Sequence, residues 1–158
     1  MSPEIAEKYG HRTRLRACGL CWQGDDLLMI NHAMGSSGVF WAPPGGGIEF
    51  GQGVHDALIR EFLEETHLTI RPGRFLFVCE FIDHPLHALE LFFEAIHVTG
   101  SISLGIDPES TPDQQLIQAI QYLPFDEIKA LPEANRHGIF RFVNTAEELK
   151  NLSGFYGI

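Results

Sequence analysis

Positive charge is scarce in this chain: 11 Lys and Arg stand against 21 Asp and Glu, a net charge of −10 over 158 residues. Affinity for nucleic acid rests on clustered basic side chains facing phosphates, so this balance argues against a nucleic-acid binder. Cysteine is scarcer still, with 3 residues, too few and odd in number for a disulfide framework. Cys18 and Cys21 have zinc-like spacing, but an odd offset in a strand sends the two side chains to opposite faces. No second pair completes a four-ligand set, so they and Cys79 read as buried structural thiols. Long apolar runs are missing too; none approaches the roughly 18 continuous residues of a membrane-spanning helix. The N-terminal Met-Ser-Pro-Glu-Ile-Ala-Glu-Lys lacks a basic segment followed by an apolar one. A cytoplasmic protein without a secretion signal or membrane contact is expected.

What remains is ordinary globular material: 44% hydrophobic and 20% charged residues, long enough for one domain with a real core. Residues 1–12 are polar and read as an arm, and 13–158 as the single domain. Leu15–Trp22 and Leu27–His32 are apolar around the turn signal Gln23-Gly24-Asp25-Asp26, which predicts a hairpin. Residues 33–47 predict a loop with a short strand at Val39–Ala42. Arg71-Pro72-Gly73-Arg74 predicts a turn before strands over Phe75–Ile82 and Ala88–Val98, and 100–115 a loop. A strand over Leu116–Phe125, a short helix over Asp126–Leu131 and a terminal helix over Ala146–Leu152 capped by Thr145 complete the chain. Strands alternating with helices make the expected fold class α/β with a mixed β-sheet.

The informative stretch is a glycine loop, Gly45-Gly46-Gly47, followed by a helix predicted over Val54–Thr66. Apolar Val54, Ala57, Leu58, Ile59, Phe62 and Leu63 cover one wide face of that helix. Residues three and four apart share a face, so Glu64 and Glu65 lie beside Glu61. Like charges so close repel, and a helix gains nothing from holding them together unless a cation lies between. Hard divalent ions take oxygen from a few carboxylates and leave room for substrate phosphates. The competing reading is a solvated helix face, but the glycine loop and the spacing favour a site for phosphate chemistry.

With Gly46, Arg60, Glu61, Glu64 and Glu65 in place, the chain resembles the Nudix hydrolases. Their box is Gly-x5-Glu-x7-Arg-Glu-U-x-Glu-Glu-x-Gly-U, with U a bulky apolar residue. Here Gly46 opens it, Arg60-Glu61-Phe62-Leu63-Glu64-Glu65-Thr66 follows in register, and Leu68 closes it. The approach Trp41-Ala42-Pro43-Pro44-Gly45-Gly46 is similar to the family's Trp-x-(Leu/Pro)-Pro-Gly-Gly. Outside the box, Leu27–Ile30 and Tyr122–Ile128 are similar to family strands, so the resemblance spans about residues 13–131. Two positions depart: Gln52 stands where the first Glu is expected, and His67 where the Gly is expected. His67 bears on backbone geometry alone; Gln52 removes a negative charge near the metal, so weaker metal binding is expected.

The resemblance implies a Nudix-type α/β/α sandwich and a pyrophosphohydrolase using Mg²⁺ or Mn²⁺. It implies Glu61, Glu64 and Glu65 as metal ligands, the Gly45 carbonyl as a further one, and Arg60 as the residue that orients the carboxylates. The implied substrate is a nucleoside diphosphate linked to another moiety: a nucleotide sugar, an ADP-ribose-like molecule or a nucleoside triphosphate. The alternative is a Nudix-fold nucleotide-binding module that has lost turnover. Dimerisation is common in the family, and a homodimer is compatible with this chain. The general base is left among Glu80, Glu90, Glu94, Glu109 and the box glutamates, with Asp113, Gln114 and Gln115 where some relatives carry such a Glu. Arg14 and Arg16 are candidates to meet substrate phosphate, though exposed-strand arginines are commoner. Phe40 and Trp41 either line a base or sugar pocket or pack the core. The histidines His32, His55, His84, His87 and His97 read as surface or core residues.

Overall fold

The computed structural model describes residues 6–7, 9–33, 38–104 and 117–158. Strand β1 (Arg12–Leu20) is polar at its start and buried from Ala17 onward. Its side chains alternate between two faces, and each face meets a different core. Ala17 packs with Ala57, Leu58 and Phe62, while Cys18 and Leu20 pack with Phe77, Phe92 and Phe140. Cys21 joins the first group, so the two cysteines diverge as their spacing predicts, and all three cysteines are buried and free.

The chain continues through β2 (Trp22–Gln23), β3 (Asp26–His32), β4 (Phe40–Ala42), β5 (Gly45–Gly47) and helix α1 (Val54–Thr66). Then come β6 (Thr69–Asp83), β7 (Leu86–Thr99), β8 (Ile117–Pro124), α2 (Phe125–Ala130), α3 (Ala146–Lys150) and β9 (Gly154–Gly157). One sheet has five strands in the order β5-β1-β7-β6-β9. It is mixed: β1 runs parallel to β7 and β9 to β6, while β5 and β6 are antiparallel to their partners β1 and β7. In the second, antiparallel sheet β3 pairs with β2, β4 and β8. Leu28 of β3 faces α1, whereas Leu27 and Met29 face Phe125 and Ile128 of α2 and Leu149 of α3. Helices therefore cover both sides of the strands, as the expected α/β class requires.

Helix α1 forms over the predicted span. Gly53 caps its start through its carbonyl alone, accepting from the Ala57 N–H at 2.9 Å. His67 ends it in the left-handed region at φ +60°, its N–H donating to the Leu63 carbonyl. Glycine is easier there, and a side chain in that region is strained by about 1 kcal/mol; the ring of His67 gains a bond to the Ser103 hydroxyl at 2.8 Å.

Some expectations are corrected. Gly45–Gly47, expected as the end of the 33–47 loop, form strand β5 against Arg16–Cys18 of β1. Leu15–Trp22 does not pair as a unit with Leu27–His32, because the chain changes sheets at Cys21 and β1 up to Leu20 pairs with β7 while Trp22 and Gln23 pair with β3. The segment 71–74 is not a turn but an irregularity inside β6, where the register with β7 shifts between Pro72 and Phe75. Pro72 has no N–H for the ladder, and the Arg74 N–H donates instead to Glu94 Oε2 at 3.0 Å. Strand β9 lay outside the predicted elements; it is four residues with glycine at both ends, too short to show a period. The Glu133–Asn135 and Gly138–Arg141 3-10 turns were equally unmarked. Glu109, Asp113, Gln114 and Gln115 lie outside the described residues, with most of the expected 100–115 loop.

Candidate active site

Arg60 organises the carboxylates of α1. Its Nη1 donates to Glu61 Oε1 at 2.9 Å and to Glu64 Oε2 at 3.1 Å. Its Nη2 donates to the Gly47 carbonyl at 2.9 Å and to Gln52 Oε1 at 3.1 Å. The planar fork suits such divergent acceptors, which an ammonium on a single stem would not reach together. Gln52 thus keeps the hydrogen bond a glutamate would make but not its charge. Glu65 turns to the loop instead, its Oε2 accepting from the Gly45 N–H at 3.0 Å. Burial raises the Glu61 carboxyl above its usual range, opposed by Arg60 and reinforced by the neighbouring Glu64.

Two glycines make this approach possible. A Cβ on Gly46 would overlap the Glu61 carboxylate. Gly45 has φ +154°, and a Cβ there would lie 2.6 Å from the Cys18 Cα. No other residue lets helix and loop close so tightly.

From Gly45 a hydrogen-bonded chain runs into the interior. The Gly45 carbonyl accepts from Arg16 Nη2 at 2.9 Å, and Arg16 Nη1 donates to Glu90 Oε1 at 2.8 Å. Glu90 Oε2 is 2.6 Å from His137 Nε2. The Ile139 N–H donates to His137 Nδ1 at 3.2 Å, which assigns the shared proton to Nε2. Glu90 is only 4% exposed. Burial alone would raise its carboxyl, but His137, Arg16 and Arg14 outweigh it and hold the group at about 2.

The expected site residues therefore separate into groups. Arg60, Glu61, Glu64, Glu65 and Gly45 are brought together, and Arg16 joins them through Gly45. Arg14 is half-buried with its guanidinium 4.2 Å over the Tyr9 ring, and burial with Arg16 nearby lowers its basicity. Trp41 packs against the core that holds Phe140, and Phe40 is half-buried beside it in β4. Of the base candidates, Glu94 is tied to Arg74 at 2.7 Å and Glu80 lies 3.0 Å from His87 Nε2. Glu90 is too acidic for an efficient general base near neutrality. His137 was not anticipated, and no periodicity or box position marks it.

Glu61, Glu64, Glu65 and the Gly45 carbonyl are the groups that could hold a divalent ion. Among the described residues no three His, Cys, Asp or Glu side chains already stand grouped around one point, and Arg60 and the Gly45 amide take up oxygens of these carboxylates. The donor chemistry nevertheless fits a hard cation: oxygen atoms only, on one helix face, beside a loop with no side chains. Among the described residues no helix is long and apolar enough to cross a membrane.

The NUDIX domain family model matches residues 12–143. The chain belongs to the Nudix hydrolase family. Its fold is similar to a MutT Nudix hydrolase from Burkholderia pseudomallei, with TM-score 0.66, 20% identity and coverage of 90% of this chain and 100% of that one. It is likewise similar to a Nudix hydrolase from Nitrosomonas europaea, with TM-score 0.69, 18% identity and coverage of 90% and 93%. An ADP-ribose pyrophosphatase from Streptococcus suis aligns with TM-score 0.58 and 19% identity, over 90% of this chain and 98% of that one. No curated protein matches the sequence.

Proposed function

We propose that this protein is a divalent-metal-dependent pyrophosphohydrolase that cleaves a phosphoanhydride bond in a small nucleotide derivative. The observation that carries this reading is the α1 carboxylate array, joined to the β5 glycines Gly45–Gly47 by Arg60 and by the Gly45 amide. Glu61, Glu64, Glu65 and the Gly45 carbonyl would hold Mg²⁺ or Mn²⁺. A divalent ion bound there supplies Lewis-acid stabilisation of phosphate charge and acidifies water for in-line attack.

The chain's own residues do the rest. Arg60 keeps Glu61 and Glu64 oriented, and Gln52 steadies Arg60 from the other side. Arg14, on the same strand face as Arg16, is the cation we assign to a substrate phosphate, since Arg16 is engaged by Glu90 and Gly45. With Glu90 too acidic and Glu80 and Glu94 engaged elsewhere, we assign the general base, among the described residues, to the α1 carboxylates.

The substrate class is a nucleoside diphosphate linked to a sugar, a ribose or a further phosphate. The MutT and ADP-ribose pyrophosphatase neighbours support that range at the level of the fold. The scarcity of basic residues supports free nucleotides over RNA, and a cytoplasmic setting suits them. The test is a panel of nucleoside triphosphates, dinucleotides and nucleotide sugars with Mg²⁺ or Mn²⁺, read by chromatographic separation of the nucleotide products. Turnover is expected in the wild type, and a loss of about a hundredfold or more in Glu64→Gln and Glu65→Gln with thermal unfolding nearly unchanged. Ligand binding without turnover across the panel would leave a nucleotide-binding module instead. Activity surviving in both variants removes the metal assignment.

A further inference from the structure

The Gly45 peptide is gripped at both ends, its N–H by Glu65 and its carbonyl by Arg16. Gly45 has no side chain with which to fix its own orientation, and its backbone conformation is one other residues rarely adopt. The orientation must be imposed from outside. Arg16 can impose it only while its fork is itself held, and Glu90 holds it at 2.8 Å. The second oxygen of Glu90 is in turn held by His137 at 2.6 Å.

His137 reaches the same loop by a second route. Its backbone N–H donates to the Trp41 carbonyl at 2.9 Å, and Trp41-Ala42-Pro43-Pro44 leads directly into Gly45. The Pro44 carbonyl is fastened to β1 by the Gly19 N–H at 3.0 Å. One residue thus fastens the approach to the glycines by its backbone and, through Glu90 and Arg16, acts on the Gly45 carbonyl by its side chain. We propose that Glu90 and His137 are positioning residues of the Nudix centre, acting through Arg16 to set the Gly45 peptide beside the α1 carboxylates. The burial of both supports this, since a buried carboxylate is retained at a desolvation cost that an apolar pair would avoid.

The inference rests on the proposed metal-dependent reading, and its test separates the two. Glu90→Gln keeps the shape, but a carboxamide cannot accept from both Arg16 and His137. His137→Phe keeps a ring against Phe92, 5.5 Å away, and removes the donor. Arg16→Lys keeps the charge on a less buried side chain but spans only one of the two acceptors. Each is measured by Mn²⁺ titration followed by electron paramagnetic resonance, by kcat and KM, and by thermal unfolding. Second-layer partners of this kind typically move metal affinity by about 10- to 100-fold, and that weakening is expected in all three, with kcat falling more than KM rises. Thr145→Ala, which removes only the cap of α3, is the control; it lowers the unfolding temperature without moving Mn²⁺ affinity. Wild-type Mn²⁺ affinity and kcat in Glu90→Gln, His137→Phe and Arg16→Lys, alongside lost Mn²⁺ binding in Glu64→Gln, overturns the inference alone. Unchanged Mn²⁺ binding in Glu64→Gln overturns the metal-dependent reading itself.

Discussion

The carboxylates of α1 and the carboxylate of Glu90 are joined through one peptide, Gly45, yet Glu61 and Glu90 are driven in opposite directions by their surroundings. On α1, Glu61 and Glu64 share a single arginine and repel each other, and burial raises the Glu61 carboxyl. Inside the sheet, both oxygens of Glu90 have dedicated donors and its carboxyl is held at about 2. The first arrangement leaves negative charge under-compensated and partly open, which suits groups that receive a cation. The second compensates its charge fully and seals it, which suits a fixed strut. A cluster of acidic side chains does not by itself define a role; the supply of donors around each carboxylate does.

The sharpest way to break the α1 side of this contrast is Gly46→Ala. The added methyl overlaps the Glu61 carboxylate, so either that side chain or the loop must move. If Glu61 is the metal ligand we propose, displacing it is expected to lower kcat/KM by about a thousandfold, or roughly 4 kcal/mol. Steady-state kinetics alongside thermal unfolding checks it. Near-wild-type kcat/KM in Gly46→Ala would show that Glu61 need not lie against the loop.

Acid unfolding probes the other side, with a somewhat smaller effect. The Glu90 pKa is depressed from 4.5 to about 2 in the folded protein. The unfolded chain therefore binds the extra proton first as pH falls, and stability that is complete above the unfolded pKa is lost on the way down to the folded one. At 1.36 kcal/mol per pKa unit this linkage is on the order of 3 kcal/mol. Urea unfolding followed between about pH 6 and pH 2.5 should fall more steeply in the wild type than in Glu90→Gln, whose curve loses this contribution. Parallel curves for the two proteins would show that Glu90 is no more strongly held than an exposed carboxylate. Glu61, shifted upward, carries the opposite sign, since its ionisation works against the fold.

The two regions also differ in how far they could be read from the residues. The α1 array is local: a helix with period 3.6, a glycine loop and a fixed spacing place Gly46, Arg60, Glu61, Glu64 and Glu65 together within one short segment. The helix formed over its predicted span for the same reason. The Glu90 pocket is assembled across long separations, with Arg16 on β1, Glu90 on β7 and His137 capping the Gly138–Arg141 3-10 turn. Alternation along β7 puts Glu90 on the face of Glu94 and opposite Leu91 and Phe93, but does not say what that face meets. The misread hairpin and the misread turn at 71–74 fail likewise, because a change of sheet at Cys21 and a β6 irregularity held by Glu94 depend on strands distant in the chain.

Gln52 lies on the α1 side, and it offers the finest adjustment of the contrast. Its Oε1 accepts from Arg60 Nη2 at 3.1 Å and, more weakly, from the Glu49 N–H at 3.3 Å. Gln52→Glu would keep both bonds with little change in shape and make the one to Arg60 charge-assisted. Such a bond is stronger than its neutral counterpart by about 1 kcal/mol. Drawing Arg60 toward residue 52 loosens its hold on Glu61 and Glu64, and the added negative charge attracts a cation directly. Both effects favour the metal, so Mn²⁺ affinity should rise by a few-fold up to about tenfold, equivalent to roughly 1 kcal/mol. The change should appear in the Mn²⁺ titration before it appears in kcat. An unchanged titration would place residue 52 outside the field that the α1 carboxylates present to the ion, leaving Arg60 alone to set their charge balance.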